Sequence, residues 1–132
     1  MTSTNKELVR SFFAAVSSGN VPDALLTPDM TAWTTLSGTT DKAGYQGMVK
    51  LLATMCSRPL TFFIKSLTAE EDRVVAEADA EGILVNGEPY RNTYVFVFRI
   101  RDGRIASMAE HFNAIVVQEK MVPLMQKLAS KS

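Results

Sequence analysis

The sequence has a single cysteine, a single histidine and a single tryptophan in 132 residues. One cysteine, Cys56, excludes an internal disulfide framework. Paired with one histidine, it leaves no donor set for a protein-bound zinc site. Cys56 itself reads as a buried structural thiol. A reactive thiolate wants a cationic neighbour or a helix N-terminus, and only Arg58 is close along the chain. Excess charge of either sign is also missing: 14 basic residues balance 14 acidic ones. Nucleic-acid and membrane-surface proteins usually need a basic excess. No apolar run is long enough to span a bilayer. The polar start from Met1 to Glu7 lacks the basic and apolar stretches of a signal peptide. The expectation is a cytoplasmic protein without metal, organic cofactor, nucleic acid or membrane partner.

Linkers, internal repeats and low-complexity segments are absent too, so residues 1–132 read as one domain. What is present is ordinary globular stock, 46% hydrophobic and 21% charged. The spacing predicts a helix from about Thr4 to Ser18, with Thr4 and Glu7 as a capping box and Gly19-Asn20 as its stop. Pro22 opens a short second helix to Leu26, ended by Pro28. Thr31 to Leu36 reads as a strand. Asp41 is the N-cap of a third helix reaching Met55, with an inner stripe of Tyr45, Met48, Val49, Leu52 and Met55. The period then changes from 3.6 to 2. Strands are expected over Leu60–Leu67, Arg73–Val85, Tyr90–Arg101 and Arg104–Val117, with turns at Asn86-Gly87 and Asp102-Gly103. A last helix over Gln118–Ser130 holds Pro123 at a bend or in an early turn. Helices followed by a run of antiparallel strands argue for the α+β class.

Alternation then assigns faces. Tyr90, Asn92, Tyr94, Phe96, Phe98 and Ile100 share one face of their strand, and arginines mark the other. Across the hairpin, Met108, Glu110 and Phe112 share the apolar face, whereas His111 falls outside. Glu110 is therefore a carboxyl set between Met108 and Phe112. Ionising it there is costly unless it is paired, and desolvation raises its pKa toward neutrality, as a general acid or base requires. A buried hydrogen bond or ion pair, or a wet sheet edge, would account for the same residue without function. The preceding strand carries Glu77, Asp79 and Glu81 at period two. If they face outward, they can meet Arg91, Arg99 and Arg101, and the intervening alanines leave room inside for a ligand. If they face inward, Asp79 joins Glu110 as a second acid. The outward phase is favoured, since three inward carboxylates with no inward arginine would repel. Trp33, Tyr45, Asn92 and Tyr94 are candidates for polar tips in an apolar pocket, although Trp33 and Tyr45 also suit a plain core.

The run from Tyr90 to Ile105, YRNTYVFVFRIRDGRI, followed by Glu110-His111-Phe112-Asn113, resembles the closing hairpin of SnoaL-like proteins. These belong to the nuclear transport factor 2-like superfamily, with polyketide cyclases, limonene-epoxide hydrolases, ketosteroid isomerases and phenazine-biosynthesis A/B proteins. The helical first half is similar as well. The resemblance implies a cone-like, curved antiparallel sheet with the N-terminal helices packed on its concave face. It also implies that Glu110 corresponds to the final-strand acid of cyclases and epoxide hydrolases, and that Asn92 and Tyr94 occupy pocket positions. Trp33 lies near the aromatic that helps hold the attacking water in the hydrolases. Two departures matter. The hydrolases set an arginine between two aspartates, but Glu77 to Ala80 contains none. The ketosteroid isomerases use a first-helix tyrosine, where this chain has Phe12 and Phe13.

Three functions fit these residues. The first is an isomerase or cyclase acting on a small apolar carbonyl, enol or epoxide compound, with epoxide hydrolysis less favoured. Glu110 would shuttle a proton, Asn92 and Tyr94 would orient the substrate oxygen, and Trp33, Phe12, Tyr45, Met108 and Phe112 would form the pocket. The second is a non-catalytic carrier of a small hydrophobic ligand. The third is an interaction module using the outer sheet face, through which members of the superfamily often form homodimers.

Overall fold

The computed structural model describes residues 2–130. Its elements, in chain order, are α1 (Thr2–Ser18), a 3-10 turn (Asp23–Leu25), β1 (Leu26–Thr34), β2 (Gly38–Asp41), α2 (Lys42–Met55), β3 (Cys56–Glu70), β4 (Arg73–Leu84), β5 (Pro89–Arg101), β6 (Arg104–Phe112), α3 (Ala114–Lys120) and α4 (Val122–Ser130). The strands form one six-stranded sheet in the order β2-β1-β6-β5-β4-β3. Breaks of register in β3 and near Ile100 interrupt the ladder, and such bulges bend a sheet.

The apolar stripe of α1, Val9, Phe12, Phe13 and Val16, is buried against the sheet. Gly19, at φ 86°, ends that helix in the left-handed conformation glycine adopts freely. Phe12 and Phe13 meet Phe96 and Phe98 edge to face, with centroids 4.9–6.3 Å apart. The core is thus an aromatic layer between α1 and the middle of β5. β5 alternates strictly: Tyr90, Asn92, Tyr94, Phe96, Phe98 and Ile100 are buried, and the residues between them face away. The β5–β6 hairpin turns on Asp102 and Gly103, both with positive φ, as a two-residue turn requires.

Several boundaries differ from expectation. Helix α1 already includes Thr2, so Thr4 lies inside it and is not its cap. Pro22 introduces only a 3-10 turn. Strand β1 starts at Leu26 and runs through Pro28; Pro28 is exposed and lies where the β1–β6 ladder skips from Leu26 to Thr31, so its missing N–H costs no bond. β1 pairs with β6 in parallel, the one such pair in the sheet. No hairpin dictates their direction, because residues 35–103 lie between them, and a parallel pair needs such a long return. Strand β6 ends at Phe112, not Val117. Asn113 stops it by capping α3, its side chain accepting from the Ile115 N–H at 3.0 Å. The expected last helix is two helices, broken at Met121, with Pro123 in the first turn of α4.

Candidate active site

A cavity opens between α2, α3, α4 and the inner faces of β3, β5 and β6, with Tyr45, Phe62, Tyr94, Phe96, Glu110 and Phe112 among its lining. Helix α2 supplies a whole wall. Its N-terminus is fixed by Asp41, whose carboxylate accepts from the Gly44 N–H at 2.8 Å. That sets the rotation of the helix, so Tyr45, Met48, Val49, Leu52 and Met55 all face the cavity. Val117 on α3, Met121 at the break between the helices and Met125 on α4 complete the lining. The cavity volume is about 150 Å³. Dry apolar cavities near that size accept a benzene-sized guest.

Glu110 is delivered by β6. Its backbone carbonyl accepts from the Thr35 N–H at 3.2 Å, beyond the end of β1, and it sits opposite Phe96 in the β5–β6 ladder. The side chain therefore points to the aromatic face, half-buried and lining the cavity. Its one partner among the described residues is the Tyr45 hydroxyl, which donates to Oε1 over a long 3.4 Å. Among the described residues no cation lines the cavity. Burial in these apolar walls pushes the Glu110 carboxyl from 4.5 up to about 7, and the Tyr45 hydrogen bond offsets only part of that. Burial, and then the Glu110 charge beside it, holds the Tyr45 phenol well above its usual range. Burial does the same for Tyr94. Near neutral pH the site thus holds one carboxyl close to its midpoint and two protonated phenols.

The expected site residues divide. Glu110, Tyr45, Tyr94 and Phe112 come together at the cavity. Trp33 does not: Met30, Ala32 and Thr34 occupy the inner face of β1, which turns Trp33 outward, 36% exposed, with its ring 4.8 Å from that of His111. Phe12 is wholly buried behind Tyr45, its ring stacked at 6.1 Å. Met108 is core, paired with Phe98 across the hairpin. Asn92 faces inward but lies outside the cavity lining. Its Oδ1 accepts from the backbone N–H groups of Thr93 and Asn113 at 2.8 and 3.2 Å, and its Nδ2 donates to the Asn113 carbonyl at 3.1 Å. It fastens the point where β6 gives way to α3.

The acids of β4 face outward, so Asp79 is no second acid. It pairs with Lys65 at 3.3 Å, Glu81 pairs with Arg91 at 3.1 Å, and Glu77 accepts from Ser66 at 2.6 Å. Arg101 goes instead to Asp29. Cys56 is half-buried, and burial raises its thiol pKa, contrary to what a reactive thiolate needs. Among the described residues no three His, Cys, Asp or Glu side chains gather to hold a metal ion. The wall built by Val117, Met121 and Met125 was not anticipated. The i, i+4, i+8 spacing of those three apolar residues was its available signal, hidden once the strand was extended to Val117.

A helix-lined, curved sheet holding an acid in an apolar cavity defines the cone-shaped class to which nuclear transport factor 2-like proteins belong. The chain belongs to the SnoaL-like domain family, whose model matches residues 9–108. The fold is shared with PrhC from Penicillium brasilianum at 19% identity, covering 98% of this chain and 93% of that one, with a TM-score of 0.83. A candidate SnoaL-like polyketide cyclase from Jannaschia sp. CCS1 is similar at 17% identity, 92% and 93% coverage and a TM-score of 0.78. The uncharacterised protein YesE of Bacillus subtilis (strain 168) is 38% identical over 53 residues, which are 39% of this chain and 36% of that protein. No described helix is long and apolar enough to cross a membrane.

Proposed function

We propose that the protein is a cofactor-independent acid–base enzyme, an isomerase or cyclase, acting on a small, neutral, apolar compound that carries a carbonyl or enol oxygen. The observation that carries this reading is the Glu110 carboxyl inside the apolar cavity, raised to about 7. Such a group takes a proton from carbon in its ionised form and returns it at another position once protonated. Tyr94 is the donor best placed for the substrate oxygen, because it lines the same cavity and its phenol stays protonated. With no cation in the lining, an ionised substrate head would be desolvated without compensation, so the favoured substrates are uncharged. The cyclase naming of the Jannaschia relative supports ring closure or isomerisation, and the lack of an arginine among the β4 acids from Glu77 to Glu81 speaks against epoxide hydrolysis.

A panel of ketones, enones and epoxides tests this. Glu110→Gln is expected to bind the converted compound still, seen as a raised melting temperature, while turnover falls by about 10²–10⁴. Turnover that survives the substitution removes Glu110 from the chemistry. Ligands that raise the melting temperature of the wild type but are never converted would make the protein a carrier.

The outer sheet face supports a homodimer. Trp33, Phe63 and Val95 are exposed there, where a monomer gains nothing from them.

A further inference from the structure

The inner face of β5 carries a chain of three polar side chains at period two, Tyr90, Asn92 and Tyr94, of which Tyr94 alone lines the cavity. Asn92 Nδ2 donates to the Tyr90 hydroxyl oxygen at 2.8 Å, and the Tyr90 and Tyr94 hydroxyls lie 2.8 Å apart. Which phenol donates to the other follows from the surroundings. The orientation of the Asn92 amide is fixed, because its oxygen faces two backbone N–H groups that can only donate. Its nitrogen must then face Tyr90, so the Tyr90 oxygen accepts there. Tyr90 is 0% exposed, and its hydroxyl has no other partner than Asn92 and Tyr94 among the described residues. Were Tyr94 to donate to Tyr90, the Tyr90 proton would be stranded in a dry interior at the full cost of an unmet donor. Were Tyr90 to donate to Tyr94, the unspent proton would be that of Tyr94, which lines the cavity.

We propose that Asn92 and Tyr90 are positioning residues that order a one-way hydrogen-bond relay, Asn92 to Tyr90 to Tyr94, so that Tyr94 presents its proton to a carbonyl oxygen of the ligand. The proposal rests on reading the cavity as a carbonyl site. Each donated bond polarises the next hydroxyl, so Tyr94 is a stronger donor than an isolated phenol. The relay also holds the donor still before the substrate arrives, and such preorganisation favours charge building on the oxygen during proton transfer at carbon. Neither Tyr90 nor Asn92 touches the substrate.

The direction of the relay can be read without turnover. The chain has three tyrosines, so hydroxyl-proton NMR of the ligand-free wild type is readily assigned with single Phe variants. The expected result is a slowly exchanging hydroxyl proton on Tyr90 and a fast one on Tyr94. A slow proton on Tyr94 with a fast one on Tyr90 overturns the order. The donor role is read from the infrared carbonyl band of bound carbon-13-labelled acetophenone. The band should move to lower frequency in the wild type relative to alkane solution, return fully in Tyr94→Phe and return part-way in Tyr90→Phe. A band in Tyr90→Phe identical to that of the wild type overturns the relay. In the turnover assay Tyr94→Phe should lower kcat by about 10²–10³, and Tyr90→Phe by roughly tenfold with KM little changed, as for one lost hydrogen bond. A purely structural Tyr90 would lower the melting temperature and leave both the carbonyl band and the ratio of kcat to KM as they were. Should the wild type shift the carbonyl band yet convert nothing in the panel, the enzyme reading fails while the relay stands.

Discussion

At the residue scale the account turns on one carboxyl. Glu110 lies among mostly apolar and aromatic wall residues, and the Tyr45 hydroxyl is its one side-chain partner among the described residues. Its folded pKa, about 7, exceeds the 4.5 of an unperturbed glutamate. The native state therefore binds a proton more tightly than the unfolded chain does. The stabilising contribution of the protonated form is fully present below pH 4.5 and is lost as pH rises through 7. Replacing Glu110 with Gln removes that dependence. The variant should match the wild type in stability near pH 4 and exceed it at pH 8, by ~3 kcal/mol at most given the separation of the two pKa values. Denaturant melts at the two pH values measure this, and equal stability of both proteins at pH 8 would count against a desolvated carboxyl. The inward aim of Glu110 was legible in the sequence, since Met108 and Phe112 flank it at period two. Its partner was not: Tyr45 lies 65 residues away on another element, and no local pattern encodes that meeting. Trp33 misled because a large aromatic resembles a core residue whichever face it takes, and only the alternation of Met30, Ala32 and Thr34 reveals which.

At the scale of elements, legibility followed how local the cause was. Helix α2 was readable because its cap, its stripe and its end all lie within the segment, and its stripe became the cavity wall as the spacing implied. Strand β5 was readable for the same reason, its aromatic and β-branched residues keeping strict alternation. Strand β6 was overextended because Ala114, Ile115, Val116 and Val117 suit a strand by composition. What ends it is tertiary. Asn92, reaching across from β5, grips the backbone of Asn113 from both sides, and Asn113 then caps a helix. That one stop sends Val117 back over the cavity. The same asparagine also begins the relay to Tyr94, so one side chain both closes the pocket and orients its donor.

At the scale of the whole molecule, the sheet has two different faces. The inner face is aromatic and covered by helices. The outer face carries the ion pairs Lys65–Asp79 and Arg91–Glu81 around exposed Trp33, Phe63 and Val95. Those ion pairs, largely exposed, add little to stability, and since Asp79 lies opposite Phe63 and Glu77 opposite Val95 in the ladders, charged and apolar side chains share this face. A chain of 14.5 kDa that dimerises through this face should sediment at about twice its mass, and Val95→Glu should return it to a monomer without disturbing Glu110. A wild type that is monomeric at micromolar concentration would leave these exposed apolar residues without that role. The α+β class and the succession of the first helix, α2 and the strands β3 to β6 were legible from periodicity, whereas the short edge strand β2 falls in a stretch that reads as a loop. The parallel β1–β6 pair was not, because it joins distant segments with no turn to announce it.

The most direct test of the central claim is a carbon-13 NMR titration of the Glu110 side-chain carboxyl, assigned by comparison with Glu110→Gln. The account predicts a single transition with its midpoint near 7, moving upward when Tyr45 is changed to Phe, since the donor that favours the ionised form is then gone. A midpoint at the ordinary value of 4.5 would show a carboxyl bathed in water and would contradict the account.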